Sequence, residues 1–261
     1  MGVKSKIAWT DSTYNPWQGC HKVSAGCANC YMYREKAHYG QDPSTVVRSK
    51  PPTFNMPLKL PSGNKVFVCS WSDFFIEEAD PWRAEAWAII RSRPDLTFMI
   101  LTKRQDRMRE IIKEPLPNVW LGVTAENQEM ADLRIPVLLQ TPAAKRFVSV
   151  EPMLGPVDIA KYLIPCEGCL DCVAARCYPI AVHPLLLKKA EERPRCGNRG
   201  NTALSWIIAG SETGPSKRIM DNKWAAELRD QCKSANISFF FKNDSTGSNL
   251  LDGVEHKEFP K

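Results

Sequence analysis

The stretch VWLGVTAEN, residues 119–127, shows the pattern that decides the fold: a short, wholly apolar run that ends in polar residues. The same pattern occurs six times along the chain. A continuous apolar run of this length is typical of a strand that is buried on both faces of a parallel sheet. The predicted strands cover residues 66–69, 97–101, 119–123, 146–150, 205–209 and 238–241.

Helical stretches are predicted between these runs, at 80–93, 107–113, 130–140 and 221–235. The first begins with Asp80-Pro81, and proline is favoured in the first turn of a helix. Alternating strands and helices predict right-handed βαβ units, and therefore either a (β/α) barrel or an open doubly wound sheet. In both architectures the ligand site lies beyond the carboxyl ends of the strands, where the polar residues of each repeat fall.

The bulk composition indicates a globular chain with a mild positive charge. Its 261 residues, 43% of them hydrophobic, are enough to bury a sizeable core. A net charge of +6 permits a polyanionic partner without requiring one. We expect a cytoplasmic protein without membrane association, because no apolar run is long enough to span a bilayer and none follows the basic start at 1–6.

The cysteines near the N-terminus, Cys20, Cys27 and Cys30, have the spacing C-x6-C-x2-C. Tetrahedral zinc needs a fourth ligand, and His21 is poorly placed to supply it directly after Cys20. A disulfide with a spare thiol is a further alternative. The favoured interpretation is a cubane iron–sulfur cluster in which three thiolates leave one iron open to a ligand that is not protein.

A second group of cysteines lies in the stretch 163–202, which interrupts the strand–helix rhythm. We interpret it as an insertion that is held together by a bound metal. It separates a first part of the fold, residues 1–162, from its completion at 203–261. The spacing is compatible with an auxiliary iron–sulfur cluster or with structural zinc, and both stay open. The candidate ligands are Cys166, Cys169, Cys172, Cys177 and Cys196.

Motifs spread almost from end to end carry a resemblance to a known group of proteins. The chain resembles the radical S-adenosylmethionine (SAM) enzymes, and within them a phage-associated family of largely unassigned proteins. The usual superfamily spacing is C-x3-C-x2-C, so the first gap here is longer. The matching segments are WTDSTYNP (9–16), GC (19–20), GCANCY (26–31), LTKR (101–104), NVWLGV (118–123), ENQ (126–128), LQTPAA (139–144), EPMLGPV (151–157), GSETG (210–214) and FFFK (239–242).

The resemblance implies a partial, six-stranded (βα)6 TIM-like barrel, with the cysteine loop after the first strand and the cysteine-rich insertion outside the core pattern. It implies a [4Fe–4S] cluster with one open iron, chelated by SAM. Reductive cleavage of SAM then gives a 5′-deoxyadenosyl radical that abstracts a substrate hydrogen. An electron donor such as flavodoxin or ferredoxin is implied as a partner.

The resemblance also implies site residues, by position along the strands. The second strand end, which holds the methionine amino group in the superfamily, offers Ser70, Ser72 and Asp73. The fourth, which contacts ribose, offers Thr124, Glu126 and Asn127. The fifth and sixth offer Ser149, Glu151, Ser211 and Glu212.

Alternatives stay open for several of these side chains. Glu126 and Glu151 could instead be acids at helix N-termini. Lys103 is expected at the mouth of the fold, where a cation can hold a carboxylate or phosphate; the alternative is a solvated Lys103–Arg104 pair. We take Lys103 and Glu212 as the candidate catalytic residues.

Related phage proteins are associated with hypermodified thymidine in viral DNA. The leading hypothesis is therefore an isomerase-type or C–C bond-forming enzyme that rearranges an N-linked aminoacyl (glycyl) thymidine to a C-linked form, in the cytoplasm of an infected host. A base in a duplex must be flipped out to react. Candidate phosphate contacts are Lys22, Arg48, Lys50, Lys217, Arg218 and Lys242. The alternatives are a radical SAM enzyme acting on RNA, a nucleoside or a peptide, and a non-catalytic, metal-stapled nucleic-acid-binding protein.

Overall fold

A computed structural model describes residues 5–163 and 204–260, and all structural statements refer to these ranges. The strands, in chain order, are β1 (Ser12–Tyr14), β2 (Trp17–Gln18), β3 (Val47–Arg48), β4 (Lys65–Val68), β5 (Thr97–Thr102), β6 (Val119–Thr124), β7 (Lys145–Val150), β8 (Trp206–Ala209), β9 (Ser238–Phe241), β10 (Leu250–Leu251) and β11 (Val254–Glu255). The helices are α1 (Tyr31–His38), α2 (Pro51–Phe54), α3 (Asp80–Ser92), α4 (Gln105–Ile111), α5 (Gln128–Gln140), α6 (Ala160–Leu163) and α7 (Asn222–Ser234).

Seven strands form one parallel sheet in the order β1-β4-β5-β6-β7-β8-β9, so that the strands follow one another across the sheet in chain order. The register aligns the carboxyl ends of neighbouring strands: Val150 pairs with Ala209, and Ala209 pairs with Phe241. Loops that follow these strands therefore meet at one edge. Two short antiparallel ribbons, β2–β3 and β10–β11, lie outside this sheet.

The sheet is curled into a half-barrel with helices on its outer face. Alternate strand residues such as Val148 and Val150 belong to the large outer core, while Phe147 belongs to a second cluster on the inner face. Trp9 links distant strands across this inner face, with its ring 4.7 Å from Phe67 of β4 and 6.1 Å from Trp206 of β8. Aromatic side chains thus fill the amino-terminal half of the concave face and leave its carboxyl end to polar residues.

The C-terminal segment completes this inner cluster. Phe259 packs on Trp206 with ring centroids 5.0 Å apart, and the Trp206 indole N–H donates to the Glu258 carbonyl at 2.8 Å. Gly122 provides room within the cluster, because a Cβ there would lie 2.5 Å from the ring of Phe147. The packing of the half-barrel therefore depends on a glycine in the middle of β6.

The strand and helix predictions are confirmed for every apolar run and every helical stretch proposed from the sequence, with boundaries shifted by at most two residues. The count of six strands is wrong, because the described sheet has seven: the six apolar runs and β1. β1 stands where the resemblance implies a first strand, before the cysteine loop. Three residues of mixed polarity, STY, carry too little pattern to predict that strand. The insertion at 163–202 lies outside the described residues, apart from Leu163 at the end of α6.

No helix in the described ranges combines the length and the apolar character that crossing a bilayer requires.

Candidate functional site

The three N-terminal cysteines lie on one loop, residues 19–30, which we call the cysteine loop. It follows β1 and β2 and runs over the carboxyl end of the sheet into α1. Gly19 begins the loop with φ +98°, and a Cβ there would lie 2.2 Å from the Thr45 carbonyl oxygen, so glycine is required. The thiols of Cys20, Cys27 and Cys30 are all free and partly exposed.

A buried carboxylate, that of Glu126, holds the middle of the cysteine loop. It follows β6, is fully buried, and accepts hydrogen bonds from the Gly26 N–H at 3.0 Å and from the Ser24 hydroxyl. Its other oxygen accepts from Arg134 of α5 at 2.7 Å. Burial alone would raise the pKa of Glu126, but Arg134 and the two loop donors hold it below its ordinary value. A Cβ at Gly26 would lie 2.9 Å from this carboxyl group, so the loop and the acid fit closely.

A second carboxylate, that of Glu212 after β8, holds the other side of the loop. It accepts from Asn29 Nδ2 at 2.9 Å and pairs with Arg218, whose Nη2 lies 2.5 Å from Glu212 Oε1. The same Arg218 nitrogen donates to the Ala25 carbonyl at 3.0 Å. Burial opposes ionisation of Glu212, yet the hydrogen bonds from Arg218 and Asn29 lower its pKa to about 2. The loop is therefore clamped from two strand ends.

The end of β4 supports the first cysteine and the start of α1. Ser72 Oγ donates to the Gly19 carbonyl at 2.5 Å, and the Tyr31 hydroxyl donates to the Ser70 carbonyl. The Asp73 carboxylate accepts from the Thr102 hydroxyl at 2.8 Å and from the Lys103 N–H at 3.1 Å. Asp73 thus joins the end of β4 to the end of β5 and is buried.

The remaining sequence-predicted residues divide into two groups. Strand alternation turns Thr124 and Ser149 to the inner face, above the aromatic cluster, and both are buried. Asn127 instead caps α5, accepting from the Met130 N–H at 2.9 Å. The Ser211 hydroxyl donates to the Asp244 carbonyl at 2.6 Å and thereby fixes the loop after β9.

Cations are also present at this end of the sheet. Lys242, after β9, contacts the Glu151 carboxylate, which follows β7. Lys103 is half-buried after β5, and no ion-pair partner of its ammonium group occurs within the described ranges. Arg104 lies beside the first cysteine and donates to the His21 carbonyl at 3.4 Å.

The Cys20 thiol has a strongly perturbed environment. Burial raises its pKa to about 12 and Asp73 adds to the rise, whereas Arg104 opposes it. The Arg104 Nε is buried without a hydrogen-bond partner in the described part of the chain. Arg104 is therefore the cationic side chain that favours the ionised form of the Cys20 thiol.

The candidate phosphate contacts fall into two groups: four whose charged groups already contact protein atoms, and two that are exposed without an ion pair in the described ranges. Lys22 donates to the Ala28 carbonyl at 2.8 Å, Arg48 pairs with Glu85 at 2.6 Å, and Arg218 and Lys242 pair with Glu212 and Glu151. Lys50 and Lys217 are exposed, and neither has an ion pair among the described residues.

Several residues at the site were not singled out as site residues from the sequence. They are Asn15, Ser24, Asn29, Tyr31, Arg104 and Arg134. All but Ser24 and Arg134 fall inside quoted motif segments; Asn29, for example, is the asparagine of GCANCY. The motifs were therefore a usable signal for most of them.

The donor set on the cysteine loop has the type and number of ligands that an iron–sulfur cluster with one open iron would take: three free thiols on one clamped loop. Among the described residues, no three His, Cys, Asp or Glu side chains are close enough together to hold a metal ion. A cluster distributes its thiolates over several irons, so its ligands need not converge on one centre. The insertion cysteines Cys166, Cys169, Cys172, Cys177 and Cys196 lie outside the described residues.

Comparison with known proteins places the chain in a family. The family described as "Protein of unknown function (DUF5131)" matches residues 4–260, and the chain belongs to it. No curated protein and no solved structure matches the chain.

Proposed function

We propose that this chain is a radical SAM enzyme that modifies a nucleobase, and specifically that it rearranges an N-linked aminoacyl thymidine, such as the glycyl form, to a C-linked form in phage DNA. One observation carries the proposal. Three free thiols lie on a single loop that two buried carboxylates clamp over the carboxyl end of a curled parallel sheet. The motifs quoted above support it, and the seven-stranded half-barrel is interpreted as a partial TIM-like barrel.

In this proposal Cys20, Cys27 and Cys30 would hold a [4Fe–4S] cluster and leave one iron for SAM. With one electron from a reduced donor, these two groups would supply the chemistry of hydrogen-atom abstraction from the substrate. Thr124 and Ser149 are buried on the concave face and form the floor of the space in which SAM would lie. The aromatic cluster below them excludes water from that side.

Most other predicted site residues act on the protein rather than on a ligand. Glu126 and Glu212 fix the backbone of the cysteine loop, and Asp73 fixes the two strand ends beneath it. Preorganised supports of this kind keep a reactive group within the narrow geometry that a radical reaction requires. Glu212 is thus a positioning residue in this proposal.

Lys103 is assigned to an anionic group of the substrate, because it is half-buried at the mouth and has no ion-pair partner within residues 5–163 and 204–260. Lys50 and Lys217 are the exposed cations best placed to contact DNA phosphates. A flavodoxin or ferredoxin is proposed as the electron donor, and the cytoplasm as the compartment, since reduced thiols persist there.

The test is anaerobic reconstitution with iron and sulfide, followed by incubation with dithionite and SAM. We expect a brown protein that releases 5′-deoxyadenosine, and a Cys27→Ala variant that releases none. Cys232→Ala, which removes a buried thiol outside the cysteine loop, is the matched control and should keep the activity. A colourless wild type that binds zinc and nucleic acid would instead support the metal-stapled binding protein.

The substrate is tested with duplex DNA that contains N-linked glycylthymidine, against the same modification in RNA and in a free nucleoside. Conversion of the duplex alone would support the DNA assignment, and preference for RNA or nucleoside would overturn it. Binding should weaken with salt, and Lys217→Ala should lower the salt slope by about 1.

A further inference from the structure

One ion pair at the site differs from the others because no loop depends on it. The carboxylates of Asp73, Glu126 and Glu212 each accept a backbone N–H and fix a loop or strand end. Glu151 and Lys242, by contrast, have only each other as side-chain partners among the described residues. This pair is free to exchange its partners without loss of a backbone hydrogen bond.

The pair faces the concave surface at the open end of the half-barrel. Strand alternation continues from Phe147 of β7 to Glu151, directly after that strand, and from Phe240 of β9 to Lys242, directly after that one. Both phenylalanines belong to the inner cluster. The two side chains meet across Gly210, where a Cβ would lie 3.2 Å from Lys242 Cβ and 3.5 Å from Glu151 Cδ. The missing side chain at 210 lets an acid and a base from non-adjacent strands come together.

Both charged side chains remain partly open to solvent. The side chain of Glu151 is 19% exposed and that of Lys242 is 25% exposed. By comparison, the Glu126 and Arg134 side chains are 0% and 2% exposed. A ligand can therefore reach the first pair and cannot reach the second.

The position also connects the pair to the cysteine loop. Gly210, across which the pair meets, lies two residues before Glu212, and the Glu212 carboxylate accepts from Asn29 of the cysteine loop at 2.9 Å. Glu151 thus faces the region in which the proposed chemistry takes place.

We propose that Glu151 and Lys242 form a receptor for an α-amino acid zwitterion, in which Glu151 accepts hydrogen bonds from the protonated amine and Lys242 donates to the carboxylate. A zwitterion replaces one ion pair by two of matching polarity, so neither protein charge is left without a partner. The inference rests on the proposed function, in which the aminoacyl group of the substrate supplies this chemistry; the amine and carboxylate of SAM would instead chelate the open iron.

The experiment measures ligand binding to the full-length chain by calorimetry, before and after reconstitution. The probes are N-(uracil-5-ylmethyl)glycine, which is thymine with glycine N-linked to its methyl carbon, S-adenosylhomocysteine, and 5-hydroxymethyluracil, which has no amino acid group. The variants are Glu151→Gln and Lys242→Met. The matched controls are Glu255→Gln and Lys257→Met, which remove the same groups from an exposed pair at 2.5 Å.

We expect Glu151→Gln and Lys242→Met each to weaken binding of a zwitterionic probe about tenfold or more, with binding of 5-hydroxymethyluracil unchanged and the controls close to wild type. Loss confined to the thymine probe assigns the receptor to substrate, and loss confined to S-adenosylhomocysteine would overturn that assignment. Unchanged binding of both zwitterions, with or without a lower melting temperature, would overturn the proposal.

Failure of the receptor is distinguishable from failure of the proposed function. A chain that binds no cluster still reports on Glu151 and Lys242 in the unreconstituted measurement. Conversely, if the enzyme is active and neither substitution changes its affinity for the zwitterions, the proposed function stands and the receptor is excluded.

Discussion

Glu126 and Glu212 show how a strand-end acid can serve a site without touching a ligand. Each is buried and paired with an arginine, and each also accepts hydrogen bonds from the cysteine loop. Buried carboxylates of this kind are costly unless every oxygen is satisfied, and here the loop supplies part of that satisfaction. The shape of the cysteine loop and the ionisation of these two acids are therefore coupled.

Glu126→Gln should destabilise the protein by about 3 kcal/mol, because it leaves the Arg134 guanidinium buried without its counter-charge. Chemical denaturation measures the free energy of unfolding, and hydrogen exchange should show faster exchange at the Gly26 amide. Glu129→Gln, which removes an exposed acid from the first turn of the same helix, is the control and should change stability by less than about 0.5 kcal/mol. An equal effect of both substitutions would contradict the clamp.

Glu212→Gln should reveal a contribution that depends on pH. The folded pKa of about 2 lies below the ordinary 4.5, so the contribution is complete above about pH 4.5 and is lost as the pH falls towards 2. Because the Arg218 side chain is 37% exposed, solvent screening limits the contribution to about 1–2 kcal/mol.

The measurement is the difference in free energy of unfolding between wild type and Glu212→Gln from pH 7 down to pH 3. The difference should be largest near neutrality and shrink in acid. A difference that is constant over this range would show that the ionised carboxylate is not what stabilises the clamp.

At this scale the sequence predicts where polar residues gather but not what each one contacts. The run that ends in TAEN correctly places Glu126 at a strand end. Whether that acid faces a ligand or the cysteine loop depends on Ser24 and Gly26, which lie about a hundred residues earlier in the chain. No local pattern contains that information.

Among the elements, the strands of the sheet depend on close packing between β6 and β7. Gly122→Ala should destabilise the fold by about 1–3 kcal/mol, because a Cβ would lie 2.5 Å from the buried ring of Phe147. Gly63→Ala is the comparison for backbone strain. Its φ of +83° is strained for a residue with a side chain, but no atom lies within 4 Å of the added Cβ, so it tests strain without a clash. Thermal unfolding of the double variant Gly122→Ala/Phe147→Leu should show partial recovery; a further additive loss would contradict the steric explanation.

The elements themselves were largely predictable. Continuous apolar runs identify β4 to β9, because these strands are buried on both faces. Periodic apolar residues identify the longer helices, because one face of each is buried. Short elements did not give such a signal: β1 has three residues and joins the sheet through its pairing with β4. Tertiary pairing, not local preference, makes Ser12–Tyr14 a strand.

At the scale of the whole molecule, the half-barrel separates two environments along one concave face. An aromatic cluster that includes Trp9, Trp206 and Phe259 closes the amino-terminal end, and the cysteine loop covers the carboxyl end. The composition indicated only a globular chain with a mild positive charge. The division of the concave face follows from topology, because parallel strands bring all their carboxyl ends to one edge.

The central claim is that Cys20, Cys27 and Cys30 together bind an iron–sulfur cluster with an open iron. The most direct measurement is the iron and sulfide content of the anaerobically reconstituted wild type and of the triple variant Cys20→Ala/Cys27→Ala/Cys30→Ala, with spectra of the reduced proteins before and after addition of SAM. We predict that the triple variant contains about four fewer irons and sulfides per chain, and that SAM changes the spectrum of the wild type alone. Equal iron in both proteins, or a wild-type spectrum that SAM leaves unchanged, would contradict the claim.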